Sequence, residues 1–204
     1  MKVVAKLISI LFHPLLLTTY LVIVLMFFFP SMLMIRSENQ LVIVSLIFVF
    51  TFVLPALNVA MLRSFGTISS LTLESRQERI VPFIFISLLY ILITFLFHYK
   101  LPFSATFSKL MIIITAMIVV SLVITFFYKI SIHSLAMSGG IGILLPLNKA
   151  SEQVNLLWPT AITIVVAGLV MSARLFLGAH TPREVMYGGV VGFLVGFVGM
   201  IMLF

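Results

Sequence analysis

Of the 204 residues, 63% are hydrophobic and only 8% charged, where an ordinary soluble domain carries roughly a quarter charged residues. No water-soluble fold can enclose that much apolar surface, and the absence of cysteine removes disulfides and thiolate chemistry. The net charge of +7 does not indicate nucleic acid, because Lys and Arg are scattered over short loops instead of gathered in a patch; membrane lipid head groups and an anionic substrate account for it better.

The apolar residues come in runs of about 20, which cross a hydrocarbon core of about 30 Å at 1.5 Å per residue. Unbroken Leu/Ile/Val/Phe runs are helix signals, since barrel strands would alternate polar and apolar. The first run, about 8 to 29, follows Lys2 and Lys6. It is too long for a secretory signal and lacks a small-residue cleavage site, so it reads as a span, with His13 and Pro14 marking a kink or a buried polar contact. Further spans are expected at about 40 to 62, 80 to 98, 107 to 128, 133 to 148, 157 to 178 and 184 to 204. The fifth, containing SGGIGILLPL, is short and Gly-rich and is expected to be tilted or partly re-entrant, so the count is six or seven. Asn58, inside the second span, reads as interhelical glue. No repeat or second domain interrupts the chain, so residues 1–204 form one integral membrane domain, an all-α polytopic helical bundle.

Seven crossings put three polar stretches on one side: the 63 to 80 loop, the 129 to 133 turn and the 174 to 184 turn. The loops around Arg36, Lys100, Lys109 and Lys149 fall on the other. Lys and Arg favour the first side, but only while the site candidates Arg76, Arg79, Lys129 and Arg174 are counted, so the charge bias assigns no orientation.

The densest polar motif is ARLFLGAHTPREVMYGG. Arg174 ends one span, and His180 and Glu184 stand one helical turn apart. At that spacing a carboxylate accepts from one imidazole nitrogen and leaves the other free as a nucleophile, while Arg174 supplies a fork for phosphate oxygens. In KISIHSLAMSGG, Lys129, Ser131 and His133 lie at a junction of spans, where alternate positions share one side of an extended turn and can meet an anion. In LESRQERIVPF, Arg76 and Arg79 lie on one helical face as a clamp for phosphate, with Glu74 or Glu78 to orient them. Plain alternatives are an interfacial cluster reaching to head groups, a structural histidine and a solvated charged loop.

Together these clusters resemble the type-2 phosphatidic acid phosphatase superfamily, whose pattern is KxxxxxxRP, PSGH and SRxxxxxHxxxD. Arg174, His180 and Glu184 fall on the Arg, His and Asp of the last motif; Ser131 and His133 on the Ser and His of PSGH; Arg79 on the Arg of the first. The chain differs in having Ala173 at the motif serine, Glu184 for Asp, ISIH for PSGH, Thr72 at the Lys position and the proline displaced to Pro82. The likeness covers about residues 63 to 200 and, with FHPLLLTTY, is similar to a compact bacterial inner-membrane subgroup.

The resemblance implies metal-independent, cofactor-free hydrolysis of a lipid phosphate. His180 attacks phosphorus, Glu184 orients it, His133 protonates the leaving oxygen, and Arg79, Arg174, Arg76, Lys129 and Ser131 hold the phosphate. The composition agrees, since five glutamates and no aspartate are too few for the carboxylate cages that hard cations require. Substrate candidates are an isoprenoid carrier diphosphate, phosphatidic acid, phosphatidylglycerol phosphate or a lipid A phosphate. Two alternatives stay open: a non-catalytic protein that binds or moves phosphorylated lipids, and a zinc hydrolase using His133, His180 and Glu184.

Overall fold

The computed structural model describes every residue except 34, 36, 74, 100–104 and 151–155, and every side chain among them save those of 31, 32, 37, 149 and 150. Arg36, Glu74 and Lys100 thus lie outside the described residues, as does the side chain of Lys149. Within them all regular structure is helical: α1 (Lys2–Leu11), α2 (Pro14–Phe28), α3 (Pro30–Leu33), α4 (Gln40–Phe48), α5 (Leu54–Ser64), α6 (Arg76–Tyr99), α7 (Ala105–Thr125), α8 (Ile132–Ala150), α9 (Leu157–Phe176) and α10 (Pro182–Leu203). Helices α4 and α5 join through the π-helical turn Val49–Val53 into one long helix.

Five helices, Gln40–Ser64, Arg76–Tyr99, Ala105–Thr125, Leu157–Phe176 and Pro182–Leu203, are long and apolar enough to cross a membrane, and α1 with α2 make a sixth if counted as one bent span. Their outer faces remain apolar: Val81, Leu88 and Phe95 on α6, Trp158, Val165 and Leu169 on α9, and Val190, Leu194 and Val198 on α10 are exposed. Such surfaces are stable against lipid and not against water. The chain is therefore a multi-pass membrane protein by the length and hydropathy of its helices.

The first span expected over about 8 to 29, with His13 and Pro14 as a kink or a buried polar contact, consists of two helices bent by 58° at that pair. Pro14 has no N–H to continue the ladder, and its ring drives the preceding residue out of the helical region. His13 accordingly takes φ −63°, ψ 135°, and its side chain accepts from the N–H of Leu15, capping α2. The same imino-acid effect acts at Pro55, which would meet the Thr51 carbonyl in a regular helix; the π turn just before it absorbs the conflict.

Helix α8 is the short Gly-rich element, an apolar helix over Ile132–Asn148, about 25 Å long. It needs no full span of its own because α10, α9, α2 and α7 pack around it, and of its large apolar residues only Leu145 is exposed. Gly188, Gly192 and Gly196 form a stripe on α10 that rests on the α8 backbone at Ser131, Leu135 and Gly139. Bare glycine lets the two backbones approach as neighbouring side chains would not.

Hydroxyls tie the other helices. Thr94 and Thr115 Oγ1 are 2.7 Å apart across α6 and α7, and Thr18 Oγ1 lies 3.1 Å from the Tyr90 hydroxyl across α2 and α6. Asn58 does not act as the expected glue, since its buried Oδ1 has no partner among the described residues.

Candidate functional site

The motif around His180 is a helix stop followed at once by a helix start. Gly178, at φ +65°, donates its N–H to Leu175 O at 3.0 Å, and the Ala179 N–H reaches Arg174 O at 3.1 Å, the paired bonds of a glycine-terminated helix. Thr181 then caps α10 by accepting the Glu184 N–H at 3.3 Å, with Pro182 in the first turn. His180 is thereby held between two rigid helices. Its Nδ1 donates to Oε2 of Glu184 at 2.6 Å, which fixes the tautomer and leaves Nε2 with its lone pair free.

The KISIH turn is locked to this corner. The Ser131 N–H donates to Glu184 O at 3.0 Å, and Ser131 Oγ accepts from the N–H and the hydroxyl of Ser134 at 3.3 and 2.9 Å. Ser131 thus caps α8 and sets His133 in its first turn. Lys129 Nζ donates to Ala179 O at 3.5 Å.

Arg79, buried on α6, draws in the third stretch. Its Nε donates to Leu73 O at 2.8 Å and its Nη1 to Ile130 O at 3.0 Å. Leu73 holds a left-handed φ of 49°, a strained conformation for a branched residue, and the Arg79 bond holds its carbonyl there. Glu78, next to Arg79, accepts the Ser69 N–H at 2.7 Å and so orders the loop instead of orienting either arginine.

These segments close one end of a cavity of about 810 Å³ whose wall includes His13, Arg79, His133, Arg174 and His180. Below that polar end the wall is apolar, with Phe83, Ile86, Ile114, Met117, Ile143 and Leu144, and Tyr90 among them. From Arg79 to Tyr90 along α6 is about 16 Å at 1.5 Å per residue. Arg174 interacts electrostatically with His13, Arg79, His133 and His180, and its Nε is buried without a hydrogen-bond partner among the described residues. A buried guanidinium donor left open is costly, and an anion in the cavity would satisfy it. Burial lowers the pKa of the His180 imidazole; the Glu184 bond opposes this, and Arg79 and Arg174 add to the lowering.

Of the residues singled out from sequence, His180, His133, Arg79 and Arg174 share the cavity wall, and Glu184 stands directly behind His180. The other three are not on that wall. Arg76 donates to the carbonyls of Thr125 and Phe126, closing the C-terminal end of α7; Lys129 braces the 177–181 turn; Ser131 is spent as a helix cap. In exchange the structure adds His13, whose ring meets that of His133 edge-on at 5.7 Å and that of Phe52 at 6.4 Å. The signal for it in the sequence is the His-Pro pair, which marks a kink or a buried polar contact. Among the described residues no group of three or more His, Asp and Glu is arranged to hold a metal ion.

No family model, curated protein or solved structure matches the chain.

Proposed function

We propose that this protein is a lipid-phosphate phosphatase of the type-2 phosphatidic acid phosphatase kind, acting in a bacterial inner membrane without metal or cofactor. The observation that carries the reading is the His180–Glu184 pair at 2.6 Å, standing with Arg79 and Arg174 at the polar end of a deep apolar cavity. A phosphate can rest among the guanidinium groups while its lipid tail lies below, an arrangement suited to an amphiphile and not to a soluble ester.

In this scheme the His180 Nε2 lone pair attacks phosphorus, a P–N bond forms and the P–O bond to the lipid breaks. Glu184 carries the developing positive charge on the ring through the Nδ1 proton. His133, whose Nε2–H is held by the Ser9 carbonyl at 3.1 Å, takes up at Nδ1 the proton that the phosphate monoanion brings and passes it to the leaving oxygen. Water then attacks the phosphohistidine, its proton returns to His133, and free phosphate and His180 are regenerated. Arg79 and Arg174 neutralise the equatorial oxygens throughout, the main electrostatic task in phosphoryl transfer.

The test is phosphate release by detergent-purified protein from phosphatidic acid, phosphatidylglycerol phosphate, an isoprenoid diphosphate and a lipid A phosphate, beside His180→Ala and His133→Ala. Release by the wild type, lost in both variants, is expected. Binding of these lipids with no release from any would point instead to a protein that holds or moves phosphorylated lipids, and neither binding nor release would end both readings.

A further inference from the structure

Histidine is an unusual helix cap. The cap of α2 needs only a short acceptor, for which Ser, Thr, Asn and Asp serve best. His13 uses Nδ1 alone for that purpose, accepting the Leu15 N–H at 3.4 Å. An Nδ1 that accepts carries no proton, so the neutral ring bears its hydrogen on Nε2, and no hydrogen bond to that nitrogen is present among the described residues. Pro14 holds the ring at the cavity wall by breaking the first span. There it packs edge-on against His133, in the field of Arg174, whose own Nε is buried and unpartnered. Two uncommitted N–H donors on one cavity wall are arranged for an acceptor that is neither backbone nor side chain.

We infer that His13 is a third imidazole of the site, donating its Nε2–H to a non-bridging oxygen of the bound phosphate. The α1–α2 corner then becomes a working part of the site, because Ser9 on α1 also holds His133 through its carbonyl. A neutral imidazole suits this task. It adds a directed donor without a further positive charge beside Arg79 and Arg174. No bond is made or broken at His13; its contribution is to bind the phosphate and fix its orientation. The inference rests on the reading of the cavity as a phosphate site.

The test separates capping from donation. Ser and Asn both cap helices well, but only Asn restores an N–H donor of some reach. Binding of inorganic phosphate and of vanadate to detergent-purified wild type, His13→Ser and His13→Asn would be followed by thermal shift, with phosphate release from phosphatidic acid in parallel. We expect His13→Ser to melt at the wild-type temperature without ligand yet to bind phosphate about 10-fold more weakly or worse, the usual loss for a hydrogen bond to a charged group, with His13→Asn recovering part. In wild-type protein labelled with ¹⁵N-histidine, the His13 Nε2 resonance should shift when phosphate is added; this readout stands even if a variant fails to fold. Wild-type affinity in His13→Ser, or an unmoved resonance at saturating phosphate, overturns the inference while leaving the phosphatase reading intact. A wild type that binds neither phosphate nor vanadate sinks both.

Discussion

The Nε2 of His133 donates to the carbonyl oxygen of Ser9 at 3.1 Å, across 124 positions of the chain. The bond joins the first turn of α8 to the last turn of α1. It commits one nitrogen of the imidazole to structure and leaves only Nδ1 for chemistry. A residue that acts as a proton donor through Nδ1 depends on the fold of a distant segment, so damage to the α1–α2 corner should be felt at the site.

Glu184→Gln keeps the side-chain length and the helix but replaces the carboxylate that accepts from His180 Nδ1 at 2.6 Å. The amide no longer stabilises the cationic ring of the transition state. Phosphate release should fall by roughly 10²–10⁴-fold, the range associated with a positioned acid–base partner, with KM for phosphatidic acid within a few-fold of wild type. Steady-state kinetics of the two proteins decide it; an unchanged kcat would refute the orienting role.

The pH profile follows from the lowered pKa of His180. Its ring stays neutral below the ordinary value of 6.5, so the limb of activity that reports loss of the free Nε2 should lie below pH 6.5. In Glu184→Gln that limb should move lower still, because the bond removed is one that favours the cation. Stability carries the same sign. Between the lowered folded value and 6.5 the unfolded chain binds the proton and the folded one does not, so this group's contribution is present above 6.5 and is lost as pH falls through that window. Thermal melts from pH 7.5 to 5, wild type against His180→Gln, should show a shallower acid loss in the variant.

Arg76 and Arg174 should separate cleanly. Arg76→Ala removes donors from the carbonyls of Thr125 and Phe126 and should cost about 1 kcal/mol of stability with phosphate affinity unchanged. Arg174→Ala removes a guanidinium whose buried Nε has no partner to lose. It should melt near the wild-type temperature while phosphate affinity drops about 10-fold or more. Thermal shift with and without phosphate measures both effects in one experiment, and the reverse pattern would exchange the two roles.

The glycine stripe on α10 supports the site from behind. A β-carbon on Gly192 would overlap the Leu135 carbonyl oxygen, whereas one on Gly168 of α9 would meet nothing within 4 Å. Gly192→Ala should therefore destabilise by about 1–3 kcal/mol and loosen the Ser131–Glu184 backbone bond, lowering activity as well. Gly168→Ala should be neutral or slightly stabilising, since alanine suits a helix better than glycine. Equal melting temperatures for the two variants would show that the close approach of α8 and α10 is not needed.

Membrane residence, an all-helical chain and the position of nearly every long helix were legible in the residues, because run length and hydropathy are local properties that a bilayer reads directly. So was the His180–Glu184 pair, since a four-residue spacing at a helix start sets its own geometry. Arg79 and Arg174 could be named from their motifs, but not the difference between them: Arg79 is clamped by two backbone carbonyls, and Arg174 has an open donor. Arg76, Lys129 and Ser131 carry the same chemical types as the residues on the cavity wall, and the packing of loops alone diverts them to carbonyls and caps. For His13 the converse holds. Pro14 announces a break in the helix, yet the direction of the 58° bend, and so the arrival of a third imidazole beside His133, depends on what α9, α8 and the π turn leave room for. Local sequence dictates where helices start and stop; which donors face the cavity is decided only once long-range packing has consumed the rest.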